Sequence, residues 1–306
     1  MKEMPNKGPT PPRNSPLSER KADGESCRIG LDQRFHNTLE RAALGVAFAA
    51  VVMFSAGAIG QDSTAKAIQE YRDALQDGNP AELWEIKGED MWKQLRGPNK
   101  VSMEKCDLGL GPGVVKGAYA RLPRYFKDTD RVDDLESRLV HCMVSLQGYS
   151  RADATRRVFG GPGASADIEA LVAYVTSQSK GVKMNVAIGH PKEREAFEMG
   201  QKIFYYRGGP HDFACATCHG EDKKRIRLQD LPNLTNSKDA QRAYTTWPAY
   251  RVSQGELRSF QWRLFDCFRQ QRFPELIFGS DVSVALTMFL ARNANGAAFA
   301  APAIKR

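Results

Sequence analysis

Apolar side chains recur at the spacing of an α-helix in several segments of the chain. The pattern is clearest in residues 193–206, where Phe197, Gly200, Ile203 and Phe204 fall on one face. The same spacing predicts helices over residues 64–77, 81–95, 167–179 and 281–294. Few segments alternate polar and apolar residues, so strands should be minor. The pattern predicts an all-α protein.

An uncharged segment near the N-terminus predicts export of the chain. Residues 42–60 carry no charged side chain, follow Arg41 and end in small residues. A basic flank, an apolar core and small residues are typical of a secretory signal peptide, although the length also suits a membrane anchor. Residues 1–41 are rich in proline, basic residues and serine, which predicts a disordered leader. We therefore expect the mature protein in the periplasm.

A Cys-Ala-Thr-Cys-His motif over residues 215–219 predicts a covalent haem. The thiols of Cys215 and Cys218 can add to the vinyl groups of one porphyrin, and His219 is then held beneath the iron as an axial ligand. A redox-active cysteine pair and half of a zinc site are the alternatives. The first usually occurs within a βαβ pattern and the second needs another ligand pair, and the sequence provides neither. We expect one c-type haem.

The chain repeats itself after the predicted signal peptide. The repeated features, in order, are a segment that begins with cysteine and ends with glycine (106–111 and 215–220), a Leu-Pro pair (122–123 and 231–232) and a segment that runs from arginine to cysteine (138–142 and 263–267). A helical segment closes each half. This shared order predicts an internal duplication, with two tandem cytochrome c-like domains over residues 62–182 and 183–306.

The first repeat lacks residues that hold a haem. Gly109 stands where the second haem thiol is expected, and Leu110 stands where the histidine is expected. Cys106 and Cys142 remain, and a collapsed pocket in an oxidising compartment would join them in a disulfide. Two separate buried thiols are the alternative.

Cys267 is the mature cysteine left without a partner if that disulfide forms. Arginines surround it in the segment 263–272, a setting that lowers a thiol pKa and favours the thiolate. Arg263 lies four residues before it, on the same face of a helix. Such a thiolate could ligate ferric iron or receive a sulfur anion. A buried structural thiol is the alternative, and Met288, a more usual kind of distal ligand, is expected to pack in the core.

The formal net charge of +8 bears on the choice of partner. In an exported protein this surplus favours anionic small molecules or an acidic partner protein, or it is only a solvated basic surface. The sequence has no helix-turn-helix, zinc-finger or aromatic–basic pattern, which argues against a nucleic acid partner.

The haem motif, the duplication and the pattern Arg-x-x-x-Cys-x-x-Gln-x-Arg-x-Pro over residues 263–274 resemble the SoxA family. Members of that family are the larger subunits of the SoxAX cytochromes of bacterial thiosulfate oxidation, and the similarity extends from about residue 62 to the C-terminus. The family has two-haem and one-haem members, and Gly109 and Leu110 make this chain similar to the one-haem kind. The resemblance implies an L-cysteine S-thiosulfotransferase that joins thiosulfate oxidatively to a cysteine of the carrier protein SoxY and passes electrons to a cytochrome c. The implied partners are a small cytochrome c subunit, SoxX, and the carrier complex SoxYZ.

The resemblance also implies how the haem is held. Cys215 and Cys218 attach it covalently, and His219 and Cys267 are the axial ligands of its iron.

The same resemblance implies that Cys267 is the active-site residue and can carry a persulfide. Arg263 positions the substrate anion, and Arg272 is a weaker candidate for that role. The alternative function is a plain electron-transfer c-type cytochrome in which Cys267 is structural. A haem-based sensor of sulfur species is a third interpretation.

Overall fold

The structure is a computed structural model. It describes residues 66–67, 70–71, 73–75, 78–161, 166–226 and 229–305. Residues 66–306 form one compact unit, and the division predicted at residues 182 and 183 stays a prediction. The predicted leader and signal peptide lie outside the described residues, and the helix predicted over residues 64–77 lies partly outside them. Within the described part of the chain, no helix is both long and apolar enough to cross a membrane.

Helices dominate the described fold. They are α1 (Ala81–Lys93), α2 (Leu135–Ser145), α3 (Arg151–Ala154), α4 (Asp167–Ser177), α5 (Pro191–Tyr205), α6 (Cys215–His219), α7 (Ser237–Tyr244), α8 (Phe260–Gln270) and α9 (Asp281–Asn293). Two single-turn 3-10 helices, Met103–Lys105 and Tyr119–Arg121, lie between α1 and α2. The helices predicted from apolar spacing are confirmed as α1, α4, α5 and α9, with ends that differ by at most about half a turn.

Short strands accompany the helices, so the protein is predominantly helical rather than all-α. They are β1 (Arg124–Phe126), β2 (Arg131–Asp133), β3 (Arg225–Ile226), β4 (Gln229–Asp230), β5 (Ala249–Arg251), β6 (Glu256–Arg258) and β7 (Ala303–Lys305). β1 pairs antiparallel with β2 and β3 with β4, while β5 lies between antiparallel β6 and parallel β7. Strands of two or three residues are too short to produce an alternating pattern, which is why the sequence did not reveal them.

Two pairs of long helices cross at a glycine in the same way. A Cβ atom on Gly88 of α1 would lie 2.6 Å from the carbonyl carbon of Ala170 in α4. A Cβ atom on Gly200 of α5 would lie 2.6 Å from the carbonyl carbon of Ala285 in α9. Both crossings therefore bring backbone against backbone, which a residue with a side chain prevents. Most buried apolar side chains belong to one cluster that includes residues of both halves.

A second repeated unit consists of an X-Pro pair, a β-hairpin and a helix. Leu122-Pro123 leads into β1, β2 and α2, and Trp247-Pro248 leads into β5, β6 and α8. Pro248, and not Pro232, is therefore the counterpart of Pro123, so the equivalence of the Leu-Pro pairs inferred from the sequence was wrong. Throughout this unit each residue lies 125 positions before its counterpart, the interval that also separates Tyr119 from Tyr244.

The haem-motif helix also has a counterpart in the first half. A bridge between two backbone segments closes the loop directly before each N-cap, which is Ser102 in the first half and Ala214 before α6. Counted from these caps, the corresponding positions are Met103 and Cys215, Cys106 and Cys218, and Asp107 and His219. Gly109 and Leu110 are therefore not the counterparts of the haem ligands, but the first half still lacks one haem thiol and the histidine.

The disulfide between Cys106 and Cys142 is present, with its sulfur atoms 2.01 Å apart. The two cysteines are 36 residues apart, and closing a loop of that length stabilises the folded chain by about 4 kcal/mol on chain-entropy grounds. The counterpart of Cys106 is Cys218, and the counterpart of Cys142 is Cys267. The disulfide thus joins the two positions that a haem thiol and the proposed active-site thiol occupy in the second half.

Candidate functional site

His219 is the last residue of α6, and its ring is oriented by the backbone. Its Nδ1 atom lies 2.9 Å from the carbonyl oxygen of Pro232. A carbonyl oxygen only accepts, so Nδ1 carries the hydrogen and the lone pair of Nε2 is free. Burial lowers the pKa of His219, which keeps the ring neutral. A neutral imidazole held in this way is the form that binds a metal.

The two cysteines of α6 lie on one turn of helix beside that imidazole. Cys215 and Cys218 are free and partly buried, and Cys215 packs against the hydrophobic core. Burial raises the pKa of Cys215 to about 12, so it is a neutral thiol. Two free thiols and an oriented neutral imidazole fit the donor set of a covalently attached haem. Among the described residues, no group of three or more His, Cys, Asp or Glu side chains is arranged to hold a metal ion.

Helix α8 carries Cys267 and Arg263, as expected from their spacing. Burial raises the pKa of the Cys267 thiol, and the positive charges of Arg263 and Arg251 oppose that rise only in part. The expectation of a lowered pKa was therefore wrong for the free thiol. The physical reason is that the cost of burying the charged thiolate exceeds the attraction of the arginines.

Asp266 neutralises much of the positive charge along α8. Its carboxylate accepts from Nη1 of Arg263 at 3.0 Å, from Nη2 of Arg269 at 2.9 Å and from Nε2 of Gln270 at 2.8 Å. The side chain of Asp266 is only 5% exposed. Arg272 lies beyond the end of α8 with a φ of 55° and an exposed side chain. The sequence pattern did not distinguish these arginines, but the structure separates a partly buried Arg263 from an exposed Arg272.

Side chains of α6 and α8 influence one another electrostatically. The Arg263 guanidinium lowers the pKa of His219, and Cys218 is among the groups that raise the pKa of Cys267, so these side chains lie within electrostatic range of one another. Met288 is fully buried in the core, which confirms the expectation that it packs there.

Arg251 is the site residue that the sequence did not reveal. It ends β5, and the thiol of Cys267 and the guanidinium of Arg263 both influence its pKa. Nothing near it in the sequence marks it, because only the return of the chain through β6 brings it beside α8.

A pocket of about 270 Å³ lies against the second half of α8. It is lined by Phe265, Phe268, Arg269, Phe273, Pro274, Glu275 and Leu276. Three phenylalanines make this concave surface mainly apolar, and Cys267 is not among the residues that line it.

A helical fold that presents a Cys-x-x-Cys-His turn with this donor set defines a c-type cytochrome. Residues 87–184 match the model of the SoxA/TsdA cytochrome c domain. The chain is 51% identical over 244 residues to the L-cysteine S-thiosulfotransferase subunit SoxA of Hydrogenophilus thermoluteolus, covering 79% of this chain and 88% of that protein. It is 33% identical to a protein of the same name from Hydrogenobacter thermophilus, covering 74% and 82%. The chain belongs to the SoxA family, which confirms the resemblance drawn from its motifs.

A solved structure shares the fold. The crystal structure of SoxXA from P. pantotrophus matches with a TM-score of 0.63 at 24% identity, covering 78% of this chain and 84% of that chain.

Proposed function

We propose that the chain is the haem-bearing catalytic subunit of an L-cysteine S-thiosulfotransferase in the periplasm. The observation that carries the proposal is the position of Cys267 and Arg263 on one helical face, within electrostatic range of the haem-motif residues Cys218 and His219. The names of the relatives, L-cysteine S-thiosulfotransferase subunit SoxA, support the activity.

The reaction is an oxidative conjugation. The sulfane sulfur of thiosulfate forms a bond with the cysteine sulfur of the carrier protein, giving carrier–S–S–SO₃⁻. The thiol gives up one proton, and two electrons pass one at a time to two equivalents of an oxidised cytochrome c, so that atoms and charge balance. Removal of the thiol proton and removal of two electrons both require protein groups close to the two sulfur atoms that form the new bond, the sulfane sulfur of thiosulfate and the cysteine sulfur of the carrier.

The proposed haem ligands are all on α6 and α8. Cys215 and Cys218 would attach one haem, and His219 and Cys267 would bind its iron. The bound haem supplies one-electron redox chemistry. His219 contributes a neutral ring whose direction is fixed by the carbonyl oxygen of Pro232.

Arg263 would bind the substrate anion. Thiosulfate carries two negative charges, and a guanidinium offers its oxygens a fork of charge-assisted hydrogen bonds. Asp266 contacts Nη1 of Arg263, an anchor that directs the remaining nitrogen donors. Cys267 supplies the sulfur beside that anion. Arg272 is a weaker candidate, because its side chain is exposed beyond the end of α8.

The proposal includes the architecture and the partners. The repeated crossings at Gly88 and Gly200 support two tandem cytochrome c-like domains over residues 62–182 and 183–306, the first without haem. The similarity to P. pantotrophus SoxXA supports a small cytochrome partner of the SoxX kind. The carrier SoxYZ would bring the acceptor cysteine.

Replacing Cys267 tests the proposal. The measurement is the mass of the carrier protein after incubation with thiosulfate, the oxidised cytochrome and the haem-loaded complex. We expect Cys267→Ala and the closer isostere Cys267→Ser to abolish the mass gain while covalent haem is retained. Transfer at the wild-type rate in both variants would overturn the catalytic role of Cys267, and absence of transfer by the wild-type complex would favour a plain electron-transfer cytochrome.

A further inference from the structure

Arg251 has a buried donor without a hydrogen-bond partner. Its Nε atom is shielded from solvent and makes no hydrogen bond in the described structure. Its guanidinium carbon lies 6.0 Å from the ring centre of Trp262, on the first turn of α8. A buried guanidinium donor is costly to leave unsatisfied, so such a position calls for an anionic or accepting group that the protein itself does not supply.

The first half shows how side chains at these two positions of the repeat can meet. The counterparts of Arg251 and Arg263 in the first half are Phe126 and Arg138. There the guanidinium carbon of Arg138 lies 4.0 Å from the ring centre of Phe126, so the two side chains are in direct contact. The second half places two arginines at these same two positions.

The carboxylate that pairs with Arg263 is shared with other side chains of α8. Arg263 pairs with Asp266, whose carboxylate also accepts from Arg269 and Gln270. In the first half, by contrast, Arg138 is satisfied by both oxygens of Asp128 and stacks on an apolar ring. The Asp266 carboxylate in the second half is therefore already occupied by three donors of α8.

The electrostatic setting of Arg251 agrees with this arrangement. Burial lowers the pKa of Arg251 and the charge of Arg263 lowers it further, while Asp266 and the thiol of Cys267 act in the opposite direction. Arg251, Arg263 and Cys267 thus lie within electrostatic range of one another, and a dianion bound between the arginines would relieve their repulsion.

We propose that Arg251 is a second substrate-binding arginine, which together with Arg263 holds the anionic end of thiosulfate beside Cys267. This inference rests on the proposed function. Arg251 approaches from the β5–β6 hairpin and Arg263 from α8, so that their donors reach the anion from two elements. Two converging forks also favour a sulfonate-bearing dianion over a singly charged sulfur species.

The test is the kinetics of thiosulfate transfer by the haem-loaded complex. We expect Arg251→Gln to raise KM for thiosulfate about tenfold, with kcat within about twofold of wild type, because one charge-assisted contact is lost in binding. Arg251→Lys keeps the charge and loses the fork, so its KM should lie between the two. Inorganic sulfate, added as a competing dianion, should inhibit Arg251→Gln more weakly than wild type.

Arg242→Gln is the matched control, because it makes the same change of charge at a side chain that is 75% exposed on α7. Its KM and its inhibition by sulfate should equal those of wild type. A wild-type KM in Arg251→Gln, or a loss confined to kcat, would overturn the inference. If Arg251→Gln fails to retain haem, Arg251→Lys provides the test instead. A wild-type KM for thiosulfate in Arg251→Lys would then overturn the inference. Absence of transfer by the wild-type complex would instead overturn the proposed function, so the two failures are distinguishable.

Discussion

The hydroxyl group of Tyr119 donates a hydrogen bond to the hydroxyl group of Tyr244 at 3.2 Å, and these residues are counterparts in the repeat. Their rings are parallel within 3°, with centres 6.3 Å apart. A second counterpart pair also meets, because the backbone N–H of Gln261 donates to Oε1 of Glu136 at 3.2 Å. Counterparts touch only near the axis that relates the two halves, so this buried region lies close to that axis.

The acidic residue at this axis should make stability depend on pH. Burial raises the pKa of Glu136 from 4.5 to about 8, and the neighbouring Asp134 adds to the rise. Between these values the folded state holds a proton that the unfolded state has released. Stability should therefore fall as pH rises through this window, by up to about 1.4 kcal/mol per pH unit. We expect Glu136→Gln, which keeps an accepting oxygen, to flatten this dependence.

The measurement is the free energy of urea unfolding of wild type and Glu136→Gln at several pH values inside that window. The other titratable groups around Glu136, namely Asp134, Tyr119 and Tyr244, are unchanged in the variant. Parallel curves for the two proteins would show that Glu136 does not titrate there.

Replacing the glycine at either helix crossing should lower the free energy of unfolding by a similar amount. Gly88→Ala and Gly200→Ala each force a Cβ atom into a carbonyl group of the opposing helix, and overpacking of this kind should lower the free energy of unfolding by at least about 2 kcal/mol. A Cβ atom on Gly189 would meet nothing within 4 Å, so Gly189→Ala should change the free energy of unfolding by less than about 0.5 kcal/mol. The measurement is the free energy of urea unfolding of the three variants. Equal values for all three would contradict the prediction.

Removing the disulfide should weaken the fold without changing the cofactor. The double variant Cys106→Ser and Cys142→Ser should lose about 4 kcal/mol of unfolding free energy. Mass spectrometry should find one covalent haem in both wild type and the double variant, because Met103 and Asp107 cannot replace the missing ligands in the first half. Two haems on the wild-type chain would contradict the account of that half.

Arg263→Lys separates charge from geometry at the proposed substrate site. Lysine keeps the positive charge but loses the fork, so KM for thiosulfate should rise while the haem absorption spectrum is unchanged. Arg242→Lys serves as the exposed control. Steady-state transfer rates at varied thiosulfate concentration provide the comparison, and identical KM values for the two variants would remove Arg263 from the site.

The sequence predicted the elements whose signal is local. Helices α1, α4, α5 and α9 have long apolar faces, and the haem motif is contained within one turn. The equivalence of Pro123 and Pro232 failed because the second half places the β3–β4 hairpin between its haem motif and Pro248. Short similarities align correctly only when no inserted element separates them.

The features that escaped the sequence depend on packing. Arg251 joins the site only through the β5–β6 hairpin, and its importance lies in a buried Nε atom. The raised pKa of Cys267 reflects burial, whereas its neighbours in the sequence suggested the opposite direction. The residues next to a cysteine in the sequence show which charges lie near it, but they do not show how far its thiol is buried from water.

The bridge between Cys106 and Cys142 shows how a repeat without the haem ligands can keep the architecture of the repeat that has them. Substitution of one thiol by Met103 and of the histidine by Asp107 ends attachment and leaves two sulfur atoms on facing elements. In an oxidising compartment that pair closes into a covalent link, which would offset part of the packing that a porphyrin supplies in a haem-bearing domain. Specialisation of the duplicated halves, one for chemistry and one for support, could thus proceed through ordinary point substitutions.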